Sequence, residues 1–261
     1  MVNLVCSVNK KYLPLLTVFL KSIEKNSRET FDKIVIRCIG FDPDLSYINL
    51  NIIKIIDNKE LSKKKNMLST EGEYVNDTLY DGFKKSKIGI RAGRWLYSEE
   101  IAYCSNSKVL TILDTLKRYN LPVLYSDVDT IVRGNLSELI KYANQNDICV
   151  VEDEPYTTQH NGSKRLQGHG KLYQGGLISF NNNATVINFT EYWSKLVIKN
   201  YKDWDADEKY FYETLQKYEL DIHNLDIKFK DEDLNMNSIV WSGAGTTKFC
   251  DDRYIKEYRK Y

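Results

Sequence analysis

The residues best suited to chemistry lie in LPVLYSDVDTIVRGNLSELI, from Leu121 to Ile140. An apolar run with the look of a buried strand ends on two acids spaced two apart, Asp127 and Asp129. Carboxylates are poor strand formers and costly to bury without a partner, so a cation is expected opposite them. Along an extended strand, residues two apart point to one side, roughly 7 Å from one to the next. Both carboxylates would then face one ligand while Val128 enters the core. Hard oxygen donors beside open water positions suit Mg²⁺ or Mn²⁺ shared with a substrate's phosphates. A bare Asp-x-Asp is also an ordinary acidic turn; the context here is more specific. A strand precedes the pair, and the Asn-Leu-Ser-Glu that follows reads as a capping box, with Asn135 capping a new helix and Glu138 reaching back.

The elements that must position these acids alternate in type. Val2–Val8 is apolar enough for a buried strand, and YLPLLTVFLKSIEKNS after it reads as a helix. Tyr12, Leu16, Phe19, Leu20 and Ile23 share one face of that helix, with Pro14 tolerated in the first turn. KIVIRCIG and NIIKII are two further strands. From Asp57 to Gly82 the chain turns polar and Lys-rich without a clean period, which predicts a long surface excursion of the kind that forms lids. Helix is expected around Lys84–Tyr103, and again where Val109, Ile112, Leu113 and Leu116 recur at helical spacing. DICVVE and GGLISF are strands on either side of a Gly- and His-containing loop. NFTEYWSKLVIKN is strongly amphipathic, with Phe189, Tyr192, Trp193, Leu196 and Val197 on one stripe. A helix near Glu208–Tyr218 and an irregular segment containing SGAGTTK close the chain. Such alternation predicts an α/β fold with a mainly parallel central sheet flanked by helices, the acids standing in the crevice at the carboxyl ends of its strands.

Composition narrows the function classes. The 261 residues suit one large domain, and 42% hydrophobic content supports a sizeable core. A formal net charge of +1 argues against a protein that works mainly by neutralising phosphates, so nucleic acid is not an expected partner. Nineteen tyrosines supply apolar rings with polar tips, suited to half-buried packing and to sugar or base stacking. Five dispersed cysteines without a CxxC pair point to a reducing compartment. No segment reads as a secretory signal or a membrane span, and a cytoplasmic location is the simplest expectation. The DDRYIKEYRKY tail interleaves tyrosines with basic residues; it reads as a terminal helix, with peripheral contact at a membrane surface as the other option.

The segment VLYSDVDTIVRGNLSEL resembles the metal-binding segment of GT-A-fold glycosyltransferases, in particular glycosyltransferase family 8 and its relatives. Three other stretches agree in order and spacing. VNLVCSVNKKYLPLLTVFLKSI resembles the first strand and helix, which hold the nucleotide base; the resemblance puts Ser7, Asn9 and Tyr12 near that base. IGIRAGRWLY resembles the segment that carries an arginine towards the nucleotide-sugar, and both Arg91 and Arg94 fit, Arg91 the better. YQGGLISFNN resembles the strand beside the sugar and points to Gln174, Gly175 and Gly176. Gly175–Gly176 would also suit a bulge or tight strand entry. DWDADEKYFYETL stands where the family contacts acceptor and donor sugar, which makes Asp205 and Asp207 the candidates there, with Glu208 behind them. Charge complementing a helix N-terminus explains the same acids equally well.

The resemblance implies a single GT-A-type, Rossmann-like domain over residues 1–250, with a nucleotide-binding part to about residue 130, an acceptor part over 131–250, and a short tail at 251–261. It further implies a nucleotide-diphosphate sugar donor (UDP- or GDP-linked), a glycan or lipid-linked acceptor, and Mn²⁺ or Mg²⁺ on Asp127 and Asp129. The departure is VWSGAGTTKF. Gly245 and Lys248 match a Gly-x-x-Lys whose lysine touches the diphosphate, but Ser242 stands where the family has a histidine ligand. His169 is an alternative third ligand, water another. A nucleotidyltransferase, or a non-catalytic nucleotide-sugar binding module, are the competing readings. The first lacks its usual Gly-rich loop after the first strand, since SVNKKYLP contains no glycine; the missing histidine keeps the second open.

Overall fold

A computed structural model describes residues 1–68, 96–153, 172–242 and 247–261. The chain opens with β1 (Val2–Asn9), followed by α1 (Leu13–Asn26), β2 (Phe31–Ile39) and β3 (Ile52–Asp57). Every residue of β1 is buried, as befits a central strand covered on both faces. Alternation divides it between two layers. Leu4, Cys6 and Val8 enter one hydrophobic cluster with α1, while Val5 joins Val35 and Tyr125 in the other. Pro14 sits in the first turn of α1 as expected, but Tyr12 ends a preceding 3-10 turn and is 37% exposed, off the apolar face.

Next come β4 (Met67–Leu68), β5 (Leu96–Tyr97), α2 (Glu99–Asn106) and α3 (Lys108–Arg118). Ser98 caps α2, accepting from the Ile101 amide, so the helix expected up to Tyr103 begins no earlier than this within the described residues. Most of the predicted lid, from residue 69 onward, lies outside them. The stretch leading to the acids forms β6 (Val123–Ser126), β7 (Ile131–Val132) and α4 (Ser137–Gln145). The capping box does not form. Asn135 Oδ1 accepts from the Ser137 amide at 2.7 Å, whereas Glu138 turns outward to Lys228 at 2.8 Å.

The second half supplies β8 (Ile148–Asp153), β9 (Leu172–Phe180), α5 (Ala184–Lys199), α6 (Ala206–Leu215), β10 (Ile222–Asn224), β11 (Val240–Trp241) and α7 (Asp252–Tyr258). Asn183 caps α5, whose Phe189, Trp193 and Val197 pack beneath the sheet with Phe180 and Phe211. Among the described residues the main sheet has seven strands, in the order β10-β8-β9-β6-β1-β2-β3. Its pairs are parallel except those of β9, which runs antiparallel to both β6 and β8. The fold is therefore mixed α/β with a mostly parallel sheet flanked by helices.

Two features of this topology matter for function. The chain winds from β1 through β2 to β3 on one side, then returns to pair β6 with the other edge of β1. The crevice at the carboxyl ends of β1 and β6 is thus a switch point, where open α/β sheets take ligands. Because β9 is reversed, its amino-terminal half lies at that same edge. The C-terminal segment docks on the fold: Tyr254 is buried in a cluster with Val18, Ile131, Leu234 and Trp241.

Candidate functional site

Strand β6 stops at Ser126, so Asp127 and Asp129 stand on the turn beyond it rather than on the strand itself. Strand alternation therefore does not set their spacing. Val128 is buried in the core, and both acids are half-buried just beyond the carboxyl end of β6. The turn is tied from several directions. The Asp127 amide donates to Gly176 O at 2.9 Å, carrying the β6–β9 ladder one residue further. Thr130 Oγ1 donates to Asp127 O at 2.8 Å, and Tyr254 OH donates to Asp129 O at 2.9 Å. Tyr125 OH donates to Asp127 Oδ1 at 2.5 Å. Burial, then the Asp127 carboxylate, pushes the Tyr125 phenol far up, so it remains a donor.

The glycines of β9 explain the close approach. The β8–β9 ladder jumps from Ile178 to Tyr173 on β9 while β8 advances only from Val150 to Glu152, a bulge that contains Gly175 and Gly176. Of the two backbone roles these glycines suited, bulge or tight strand entry, the register shift fits the bulge. A Cβ on Gly176 would lie 2.8 Å from Asp127 Oδ2 and 2.8 Å from Lys230 Cε. The absence of a side chain here gives the Asp127 carboxylate and the Lys230 stem their present positions, and a methyl would have to displace them. At Gly175 a Cβ would meet Glu208 Oε1 at 3.7 Å and Lys108 Nζ at 3.8 Å, ordinary contact.

A buried cation near this wall is Lys108, the first residue of α3. It is 6% exposed and pairs with Asp207, 4% exposed, at 2.6 Å. Burial works against the Lys108 charge, but the carboxylates of Asp207, Asp127 and Glu208 outweigh it and raise its pKa. Asp207 is fixed in turn by its backbone: its amide donates to Asn106 Oδ1 at 2.8 Å, and Trp193 Nε1 donates to its carbonyl at 2.8 Å. Asp205 stands half-buried at the N-cap position of α6, with no side-chain cap bond. One wall thus brings together Asp127, Gly175, Gly176, Lys108, Asp207 and Glu208. Gln174 is half-buried on the same bulged strand.

Lys108 was legible in principle. It shares the 108, 111, 112, 115 stripe with buried Thr111, Ile112 and Thr115, so a lysine there had to meet a buried acid.

On the other side of the crevice, Ser7 and Asn9 end β1 and are buried. Ser7 Oγ shares a 3.0 Å hydrogen bond with Thr111 Oγ1, which also accepts from Arg37 Nε at 3.0 Å. Arg37 Nη1 meets Asp57 at 2.9 Å and Nη2 meets Asp114 at 2.5 Å. Ser7 therefore belongs to a network that pins α3, and with it Lys108, to the sheet. Tyr12 remains exposed at the rim. Arg91, Arg94, His169 and Gly245 lie outside the described residues. Lys248 falls on a 3-10 turn, Thr247–Cys250.

Among the described residues no group of three or more His, Cys, Asp or Glu side chains could enclose a metal ion. Ser242, at the expected histidine position, is buried, with its amide donating to Asp231 O at 3.0 Å. Two carboxylates at a crevice do fit a Mg²⁺ or Mn²⁺ whose coordination is completed by water and substrate phosphates, which seldom uses an all-protein cage.

Residues 100–259 match the model of the nucleotide-diphospho-sugar transferase family. No curated protein sequence matches the chain. Among solved structures the chain is similar to the bifunctional glycosyltransferase WbbM, with a TM-score of 0.57 at 15% identity over 98% of this chain and 49% of that one. It is similar to the galactosyltransferase LgtC, with a TM-score of 0.55 at 15% identity over 99% of this chain and 95% of that one. The glycosyltransferase GlyE of Streptococcus pneumoniae TIGR4 gives a TM-score of 0.54 at 12% identity, over 98% of this chain and 60% of that one. The chain thus spans about half of WbbM and nearly all of LgtC. At these identities the structural likenesses speak for the fold.

Proposed function

The chain belongs to the nucleotide-diphospho-sugar transferase family, and from that premise we propose that it moves a sugar from a UDP- or GDP-sugar to an acceptor hydroxyl in a divalent-metal-dependent reaction of glycan or polysaccharide synthesis. The observation that carries this reading is the convergence of Asp127 and the Lys108–Asp207 pair on the two glycines of β9, at the switch point of the sheet.

In this reading residues 1–130 hold the nucleotide and 131–250 the acceptor. Ser7, Asn9 and Tyr12 line the base side, with Tyr12 offering a stacking ring, and Arg91 reaches the nucleotide-sugar. Asp127 and Asp129 hold Mn²⁺ or Mg²⁺, which when bound neutralises charge on the diphosphate leaving group. Tyr125 orients Asp127 by its hydrogen bond, and the space over Gly176 lets the carboxylate approach the diphosphate. Lys248 adds a flexible ammonium at the phosphates. The sugar lies along Gln174, Gly175 and Gly176, and the acceptor hydroxyl enters from the Asp205–Asp207 side. Lys108 holds Asp207 in place through their buried 2.6 Å ion pair, so the carboxylate is positioned before the reaction begins. Resemblance to family 8 implies retention of anomeric configuration; if Asp207 instead deprotonates the acceptor from the opposite face, inversion follows.

The acceptor is a glycan or a lipid-linked saccharide, met in the cytoplasm or at a membrane surface. The exposed Arg253, Lys256, Arg259 and Lys260 of the C-terminal segment suit peripheral contact with anionic lipid. No helix among the described residues is long and apolar enough to cross a membrane. A thermal-shift panel of nucleotide-sugars with and without Mn²⁺ tests the donor reading. One nucleoside diphosphate sugar should raise the melting temperature, and more with Mn²⁺ than with EDTA; no shift from any would overturn it.

A further inference from the structure

Lys108 and Lys230 are the two lysines buried among the described residues. They differ in what they face. Lys108 has a buried partner in Asp207, whereas Lys230, 5% exposed, pairs at 2.6 Å with Glu232, whose side chain is 42% exposed. An ammonium whose carboxylate partner stands partly in solvent can exchange that partner for another anion more readily than one in a fully buried pair. The Lys230 stem lies against Gly176 from the same side as Asp127 Oδ2, both 2.8 Å from where that glycine's Cβ would be. Its backbone is fixed. The neighbouring Asp231 bridges Trp241 and accepts from the Ser242 amide at 3.0 Å, while its carboxylate accepts from the Asn235 amide and Ser238 Oγ, each at 2.6 Å. Lys230 therefore stands beside Ser242, the position where a third metal ligand was expected, and beside a carboxylate proposed to hold the metal.

We infer that Lys230 is a second cationic contact for the donor's diphosphate. Its ammonium leaves Glu232 for a phosphoryl oxygen when the donor binds, adding positive charge beside the diphosphate. The four-carbon stem and compact ammonium allow this exchange without movement of the backbone. The inference rests on the nucleotide-diphosphate reading above and adds to it a ligand outside the Gly-x-x-Lys resemblance.

Calorimetric titration of UDP, GDP and the matching nucleosides, with Mn²⁺ and with EDTA, tests it. Lys230→Met keeps the length of the stem and should weaken nucleoside diphosphate binding by about tenfold or more, with nucleoside binding unchanged. Without metal, wild type should keep measurable diphosphate binding and Lys230→Met should lose it. Glu232→Gln, at an exposed position, should bind the diphosphate as tightly as wild type or more tightly, because it releases the ammonium. Wild-type affinity in Lys230→Met under both conditions overturns the inference, as does weakened binding in Glu232→Gln. A wild-type protein that binds neither diphosphate overturns the donor reading itself, a different result from the loss of Lys230's contribution alone.

Discussion

Asp127 and Gly176 are joined twice: by a 2.9 Å hydrogen bond from the aspartate amide to the glycine carbonyl, and by the approach of the carboxylate into the space a side chain at 176 would fill. The first contact fixes the turn that carries the acids. The second makes one of two adjacent glycines the position where an added methyl must displace its neighbours.

That asymmetry is testable. Gly176→Ala pushes a methyl into Asp127 Oδ2 and Lys230 and should cost about 1–3 kcal/mol of stability, with loss of most transfer activity. Gly175→Ala meets its neighbours at ordinary contact distance and should change stability by less than about 1 kcal/mol. Urea unfolding and donor turnover on the two variants check this; equal effects would contradict the steric account.

The Lys108–Asp207 pair should respond as a buried ion pair does. Lys108→Met leaves Asp207 without its cation and should cost about 3–5 kcal/mol. Combining it with Asp207→Leu should recover much of that stability while leaving transfer abolished. A double-mutant cycle in urea, paired with turnover, separates the structural role from the chemical one.

Tyr254 reaches the Asp129 carbonyl from the C-terminal helix. Tyr254→Phe keeps the ring in its cluster and removes a single hydrogen bond, so stability should fall by about 1 kcal/mol. The Mn²⁺ concentration for half-maximal binding, read from protein fluorescence in the presence of donor, should rise about two- to tenfold. An unchanged metal titration would show that the helix does not position Asp129.

Asp57 gives a pH dependence with a defined sign. Burial raises its pKa, but the hydrogen bonds from Tyr103, the Lys59 amide and Arg37 outweigh this and hold it below its ordinary value of 3.8. A carboxylate depressed in the folded state contributes stability that is fully present above its unfolded pKa. That contribution is lost as pH falls through the folded pKa. The melting temperature should therefore fall more steeply below pH 3.8 in wild type than in Asp57→Asn. Parallel acid titrations of the two would contradict the assignment.

How much of this was legible in the sequence depended on whether the signal was local. The apolar run of β1 and the amphipathic stripe of α5 announce themselves, since burial on two faces or one leaves a direct mark on residue order. The two acids were legible as a pair. Their exact support was not: β6 ends one residue before Asp127, and a turn held by Thr130 and Tyr254 replaces the extended strand. The reversal of β9 depends on pairing partners far away in the chain, which strand composition does not encode. Glu138 failed to cap its helix because Lys228, ninety residues on, offers it an ion pair. Lys108 was overlooked because a lysine at a helix start ordinarily reads as solvated; the stripe it shares with Thr111 and Thr115 was the available warning.

The central claim is that Asp127 and Asp129 hold a divalent cation on a nucleotide-diphosphate sugar. Slow hydrolysis of UDP- and GDP-sugars, measured with Mn²⁺ and with EDTA on wild type and Asp129→Ala, tests it most directly. The account predicts Mn²⁺-dependent hydrolysis of one donor by wild type, none in EDTA, and none by a folded Asp129→Ala. Near-normal hydrolysis by Asp129→Ala, or equal rates with and without metal, would contradict it.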